Sequence, residues 1–200
     1  ITTPDGQVEL VNLSGPSVMH VFFEGAHEGD ADDDDGDGLD EVPTEMVSME
    51  LTGSSPLGDV TMRLRDVSEH PNQRSMGQME ETANTQSGRL DVQPFAPSGT
   101  TDSFFDVFFE VETSGRVWHN DQPLRLRVDS PLTHKPAGPC STYRGKGPVP
   151  LMDENGNSTG LQLGPISYSS GSCPAAVEVD CTSALGLPSP SSSLTAPSSR

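Results

Sequence analysis

The sequence predicts an all-β protein: an antiparallel β-sandwich with a calcium-binding loop and an extended Ser/Pro-rich C-terminal tail. Apolar and polar residues alternate with a period of two in several short segments, as they do in half-buried strands. The chain also contains 20 Gly and 18 Pro, which favour many turns and oppose long helices. We therefore expect one β-sandwich domain over residues 1–182, followed by a tail or linker over 183–200.

The first predicted strands precede and follow a strongly acidic segment. Val8 and Leu10 are expected to share one face of a short first strand, and the segment 18–24 is apolar on both faces, which predicts a central strand. Two alternating segments separated by a Gly- and Pro-containing turn are expected to form a meander, over residues 46–51 and 60–65.

The strongest predicted strand covers residues 102–112. Its core face is expected to consist of Phe105, Val107, Phe109 and Val111. Phe104 and Phe108 interrupt an otherwise acidic outer face. Arg125 and Arg127 alternate with apolar residues in a later strand, so they could face these acids across the sheet, each pair contributing ~0.2–1 kcal/mol.

The remaining segments are less regular. A short helix is predicted around Met76–Ala83, and the Pro/Gly-rich segment Thr133–Pro150 is predicted to be a loop. Ser114-Gly115 is expected to turn the chain between two strands. Asn155-Gly156 is expected at the tip of a later hairpin.

The net charge and the cysteine content of the chain indicate which binding partners and which cellular compartment to expect. The net charge of −19 opposes binding to nucleic acid and to anionic membrane surfaces, and no apolar run approaches the ~20 residues of a membrane span. The start at Ile1 is typical of a mature, processed chain, so an extracellular or cell-surface protein is expected. A Cys173–Cys181 disulfide is favoured, with Cys140 either left over or taking one of that pair.

The acidic run from Asp30 to Glu41 has the spacing of a calcium loop. Oxygen ligands at alternating positions let a short loop surround a hard cation, and the glycine at Gly38 permits a sharp turn after three such positions. The predicted cofactor is calcium, and its predicted ligands are Asp33, Asp35, Asp37, the carbonyl of Leu39, Glu41 and Glu45. A solvated acidic loop without a metal is the alternative.

This loop resembles the calcium loops of EF-hands, dockerins and thrombospondin type 3 repeats over about a dozen residues. It departs from the EF-hand pattern at its twelfth position, where Thr44 replaces a glutamate. Pro43 also opposes the helix that would follow an EF-hand loop. The sequence therefore predicts a calcium loop between strands.

A second resemblance covers most of residues 18–168. The segments that carry it are Val21–Gly25, Gly38–Glu41, Glu45–Ser54, Asp102–Asp106 and Thr133–Pro136. They look like an uncharacterised β-rich module of large secreted bacterial surface proteins. This resemblance implies an extracellular structural or adhesive role and brings no catalytic residues with it.

The function expected from these observations is that of an extracellular, calcium-stabilised structural subunit of a surface fibre, layer or adhesin, which self-associates into a fibre or lattice. The alternative is a glycan-binding module of a secreted protein, with Trp118 or the pair Phe104 and Phe108 as an aromatic platform. The sequence contains no nucleophile elbow, phosphate loop or paired zinc-ligand spacing, and we expect no enzyme activity.

Overall fold

The computed structural model describes residues 1–3, 6–55, 58–138 and 140–170. These residues form an all-β structure whose strands are β1 (Ser17–Val21), β2 (Glu41–Ser55), β3 (Gly58–Leu64), β4 (Ser75–Glu81), β5 (Thr101–Val107), β6 (Phe109–Thr113), β7 (Arg116–His119), β8 (Leu124–Val128), β9 (Thr142–Gly145), β10 (Val149–Asp153), β11 (Ser158–Leu163) and β12 (Ile166–Ser169). The predicted tail, together with Cys173 and Cys181, lies outside the described residues. Within them, no helix has the length and apolar character needed to cross a bilayer.

The long strand β2 joins two antiparallel sheets. Its first part pairs with β4 on one side and β1 on the other, whereas its second part pairs with β3. Sheet A consists of β11, β10, β7, β6, β3 and the second part of β2. Sheet B consists of the first part of β2 with β1, β4, β5, β8, β9 and β12.

The chain passes between the sheets a second time at Phe108. This residue separates β5, which pairs in sheet B, from β6, which pairs in sheet A. The Ser75 hydroxyl donates to the Phe108 carbonyl at 3.4 Å, and its oxygen accepts the Phe108 N–H at 3.0 Å. Because β2 and the β5–β6 segment each belong to both sheets, the sheets are held together by the backbone itself.

The inner faces of the two sheets form one apolar core. The largest fully buried apolar side chains include Val60, Phe109, Val111 and Leu151 from sheet A, and Val42, Met46, Met79 and Phe105 from sheet B. Burial of side chains of this size contributes about 1.5–3 kcal/mol each. This shared core confirms the predicted antiparallel all-β class.

The strand predicted over residues 102–112 is confirmed as the continuous segment β5–β6. Its inner residues are buried in strict alternation, because each lies on the core face of its sheet. On the outer face of sheet B, Arg125 donates to Asp106 at 2.8 and 2.5 Å, and Arg127 donates to Asp102 at 3.0 and 2.6 Å. These contacts confirm the predicted cross-strand pairing of arginines with acids.

The predicted turns at Ser114-Gly115 and Asn155-Gly156 are also found. Ser114 and Gly115 connect β6 to β7 with φ values of 51° and 73°, the positive pair that a tight hairpin turn requires. Gly156 connects β10 to β11 with a φ of 78°.

Two strand predictions and one loop prediction are wrong. Val8 and Leu10 are 77% and 68% exposed and form no strand, apart from a single bridge between Val8 and Thr2. The segment 18–24 contributes β1, which in the part of the chain that the structure describes pairs only with β2 and therefore lies at an edge. The loop predicted over Thr133–Pro150 contains β9 and the start of β10.

The helix predicted at Met76–Ala83 is strand β4 instead. Met76 and Met79 have a helical spacing, but β4 pairs with β2 on one side and with β5 on the other. A Cβ added to Gly77 would lie 2.1 Å from the Phe104 carbonyl oxygen, so close strand pairing uses the missing side chain. Tertiary pairing thus overrides a local periodicity.

Candidate metal centre

The acidic segment forms a loop whose ends are joined immediately before β2. The Asp32 N–H donates to the Glu41 carbonyl at 3.3 Å, and the Glu41 N–H donates to the Asp32 carbonyl at 2.8 Å. This antiparallel bridge brings the two ends of residues 33–40 together. Glu41 is also the first residue of β2, so the loop is attached directly to the core of the sandwich.

Three alternating carboxylates converge within this loop. One oxygen each from Asp33, Asp35 and Asp37 lies within 4.8 Å of the other two, and all three side chains are exposed. The N–H groups of Gly36 and Gly38 donate to the two oxygens of Asp33 at 2.8 and 3.0 Å. Backbone donors therefore offset part of the mutual repulsion of these carboxylates.

Glycine is required where the loop reverses direction. Gly36 and Gly38 have φ values of 80° and 93°, a region that side chains with a Cβ rarely adopt. The N–H of Asp37 donates to Asp35 at 3.1 Å, and the N–H of Leu39 donates to Asp37 at 2.9 Å. The backbone thus wraps around the carboxylates of the triad.

A buried carboxylate lies at the base of the loop. Glu41 is 4% exposed, and its Oε1 accepts the Asp34 N–H at 3.1 Å. Its Oε2 is buried and has no hydrogen-bond partner among the described residues. Burial raises the pKa of Glu41, and the charges of Asp35 and Asp34 raise this pKa further, although the bond from Asp34 N–H opposes the rise.

The three carboxylates of the triad fit a hard cation. A cation would relieve the repulsion among them. Oxygen ligands are those that calcium and magnesium prefer. The triad of Asp33, Asp35 and Asp37 can therefore hold a metal ion.

The remaining predicted ligands have different positions. Leu39 is half-buried at the end of the loop, and the use of its carbonyl stays a prediction. Glu45 lies within β2, where Arg74 donates to its two oxygens at 2.8 and 2.5 Å. Because this ion pair occupies both oxygens of Glu45, we omit Glu45 from the proposed ligand set.

Sequence reasoning did not identify a group of buried carboxylates next to the loop. Asp40 accepts the N–H groups of Gly88 and Arg89 at 2.5 and 3.1 Å, and Glu81 accepts the N–H of Asp91. Asp40 Oδ1 and Glu81 Oε2 are buried and have no partner among the described residues. Burial is the main cause that raises the pKa of Glu81 to about 7.

These carboxylates fix the connection between β4 and β5 to the start of β2. No sequence signal marks them, because the chain contains 30 acidic residues and their burial does not follow from their positions in the sequence. Only the pairing of β4 with β2 brings Glu81 next to Asp40, whose carbonyl accepts the Glu81 N–H at 3.0 Å.

The predicted aromatic platforms lie at three separate places. Phe104 lies on the outer face of sheet B, where the Arg125 guanidinium is 4.1 Å from its ring centroid. Phe108 is half-buried at the crossing between the sheets. Trp118 is half-buried in β7 and pairs with Val111 on one side and Asp153 on the other.

Comparisons with known proteins do not assign a family. No protein-family model matches the chain, and no curated protein matches it. The structure is similar to that of DynF from the dynemicin biosynthesis pathway of Micromonospora chersina, with 21% identity and a TM-score of 0.43. That similarity covers 65% of this chain and 56% of DynF, and it establishes neither a family nor a function.

Proposed function

We propose that this protein is a calcium-stabilised structural module of an extracellular or cell-surface assembly. The observation that carries the proposal is the convergence of Asp33, Asp35 and Asp37 in a loop that the Asp32–Glu41 bridge closes directly before β2. A bound ion would hold this loop in one conformation next to the first residue of β2 and thereby stabilise the sandwich. The role proposed here is binding and assembly rather than catalysis.

Calcium is preferred to magnesium because of the flexibility and number of the oxygen ligands. Calcium accepts six to eight oxygens at ~2.3–2.6 Å in irregular geometry, whereas magnesium requires a nearly ideal octahedron. A loop with three exposed, converging carboxylates and the predicted carbonyl of Leu39 suits the larger ion.

Calcium is expected to raise the melting temperature of the protein. At a free concentration about 100 times the Kd, a ligand that binds only the folded state adds about 2.7 kcal/mol. For a chain of this size, that corresponds to an increase of about 5–10 °C. Differential scanning fluorimetry in calcium, in magnesium and in EDTA, at fixed ionic strength, measures this shift.

Two substitutions in the same acidic run distinguish the loss of a metal ligand from the loss of one negative charge. Asp35→Asn removes a member of the triad and is expected to abolish most of the calcium-dependent shift. Asp34→Asn removes the same charge one position earlier, outside the triad, and is expected to leave most of the shift intact. Equal melting temperatures in calcium and EDTA would refute the proposal.

Self-association into a fibre or lattice is the second part of the proposed function. Its support is the edge strand β1, which among the described residues pairs only with β2. Val18 within this strand and Phe22 directly after it are exposed apolar residues, at 47% and 42%. An unpaired strand edge of this kind is a template for adding a strand from another molecule.

A further inference from the structure

A cleft on sheet A combines an aromatic ring with several polar side chains. Its volume is about 530 Å³, and it is lined by residues of β7, β10, β11 and their turns. Trp118 and Leu161 provide its apolar surface, and Arg116, Asp153 and Asn155 provide polar groups. The acidic loop takes no part in it, so this cleft is separate from the candidate metal centre.

Strand register places these side chains on one face. Residues that pair directly across antiparallel strands point to the same side of the sheet. Trp118 pairs with the buried Val111 and with Asp153, and Arg116 pairs with the buried Thr113. Trp118, Asp153 and Arg116 therefore project from the core face of sheet A, at the end where that face opens into the cleft.

Arg116 and Asn155 provide polar side chains that are available to a ligand in the cleft. Arg116 is exposed and has no ion-pair partner among the described residues. Asn155 is exposed, and its backbone N–H is bonded to Asp153 at 2.9 Å, which fixes the turn that presents its amide. An amide both donates and accepts, and a guanidinium donates several hydrogen bonds, so together they match the hydroxyl groups of a sugar.

A larger groove, of about 850 Å³, is less suited to a ligand of this kind. It is lined by residues of β1, β2, β3 and the connection from β3 to β4, and its arginines are held in ion pairs. Arg63 is bonded to Glu110 and Glu112, and Arg74 is bonded to Glu45.

We propose that the Trp118 cleft binds a neutral oligosaccharide, with one sugar ring stacked on the indole and its hydroxyls bonded to Arg116 and Asn155. A ring of this kind offers a large apolar face, and a few convergent polar groups fix the ligand's orientation. Nucleobases also stack on aromatic rings, but the chain's net charge of −19 repels nucleic acid. The carboxylates of Asp153 and Glu154 likewise disfavour anionic sugars.

Trp118 is the only tryptophan in the chain, so its fluorescence reports directly on this cleft. The experiment titrates the protein with hexasaccharides of β-1,4-linked glucose, N-acetylglucosamine, xylose and mannose, and with oligogalacturonate as an anionic probe. We expect at least one neutral hexasaccharide to change the emission saturably, with a Kd of about 1 mM or lower. Oligogalacturonate is expected to produce no saturable change.

Two substitutions of polar residues test the sugar-binding assignment. Trp118 itself is left in place, because its indole also packs against the core. Arg116→Ala and Asn155→Ala are each expected to weaken binding about fivefold to tenfold, the effect of about one hydrogen bond, without lowering the melting temperature. Asn72→Ala, at an exposed position outside the cleft, is the matched control and is expected to leave the Kd unchanged. Repeating the titration in EDTA separates this site from the proposed calcium function.

The inference is overturned if no neutral hexasaccharide changes the fluorescence. It is equally overturned if the anionic probe binds best, or if Arg116→Ala and Asn155→Ala leave the affinity unchanged.

Discussion

Individual buried polar residues in this protein hold its connections in place. Glu81 is the clearest example, because it is 1% exposed and its Oε1 accepts the N–H of Asp91 in the segment before β5. Its second oxygen has no hydrogen-bond partner among the described residues. Burial, followed by the charges of Asp91 and Asp40, raises the pKa of this carboxyl to about 7. At neutral pH, Glu81 is therefore divided between its protonated and its charged forms.

Glu81 is expected to make the protein less stable as pH rises from about 5 to 8. The ordinary pKa of 4.5 applies in the unfolded chain, so between that value and about 7 only the folded state retains the proton. Its stabilising contribution is complete below pH 4.5 and is lost as pH approaches about 7. The expected loss is on the order of 3 kcal/mol.

Glu81→Gln is expected to reduce this pH dependence and to raise the melting temperature at about pH 8, because the amide carries no charge at any pH. Thermal melts across this range, at a constant saturating calcium concentration, measure the effect. Glu69→Gln, at an exposed position, is the control and is expected to retain the wild-type slope. An identical slope for Glu81→Gln and the wild type would contradict the assignment.

At the level of secondary-structure elements, the side chain of Asn120 stabilises the crossing from β5 to β6 through hydrogen bonds to the backbone. Asn120 is fully buried, and its Oδ1 accepts the Phe109 N–H at 2.8 Å. Its Nδ2 donates to the Val107 carbonyl at 2.9 Å and to the Gln122 carbonyl at 2.8 Å. The amide thus satisfies backbone groups on both sides of Phe108, where the strand leaves one sheet and enters the other.

Asn120→Ala is expected to destabilise the fold by about 2–4 kcal/mol, because it leaves buried backbone groups without partners. This corresponds to a decrease in melting temperature of about 4–16 °C. Chemical denaturation and thermal melts check the value, with Asn72→Ala as a control at an exposed position. A loss as small as that of the control would show that water replaces the amide at this crossing.

The same level shows what sequence periodicity predicted and what it missed. The period-two pattern of residues 102–112 was sufficient to identify β5–β6 and its core face, because the alternation continues through the crossing. It was not sufficient for β4, where Met76 and Met79 have a helical spacing and only pairing with β2 and β5 determines the strand. Nothing in the pattern distinguished the edge strand β1 from a central strand, since both carry apolar residues on two faces.

At the level of the whole molecule, net charge opposes the proposed self-association. Subunits with a charge of −19 repel one another, and this repulsion is screened by salt and reduced by bound cations. Contacts at the β1 edge therefore have to overcome long-range repulsion before strand pairing begins. In this proposal, bound calcium has two effects: it stabilises the acidic loop, and it reduces the negative net charge that opposes association.

Self-association is expected to increase with salt and with calcium, and to decrease when the β1 edge carries an added charge. Val18→Lys places a lysine on that edge, and Val67→Lys places one in the connection after β3, where Val67 is equally exposed at 47%. Sedimentation velocity and negative-stain images are expected to show fewer large species for Val18→Lys only. Monomers under all conditions would exclude this part of the proposed function.

The sequence by itself determined the all-β class, the main crossing strand, several turns and the alternating carboxylates of the acidic loop. These features depend on local periodicity and on residues close together in the chain, which a sequence displays directly. The tertiary structure alone decided that Glu41 is buried where the loop joins β2, that Glu45 is paired with Arg74, and that Glu81 lies next to Asp40. Each of these depends on strand pairing or on contacts between distant residues, and burial and pairing determine what a carboxylate can bind.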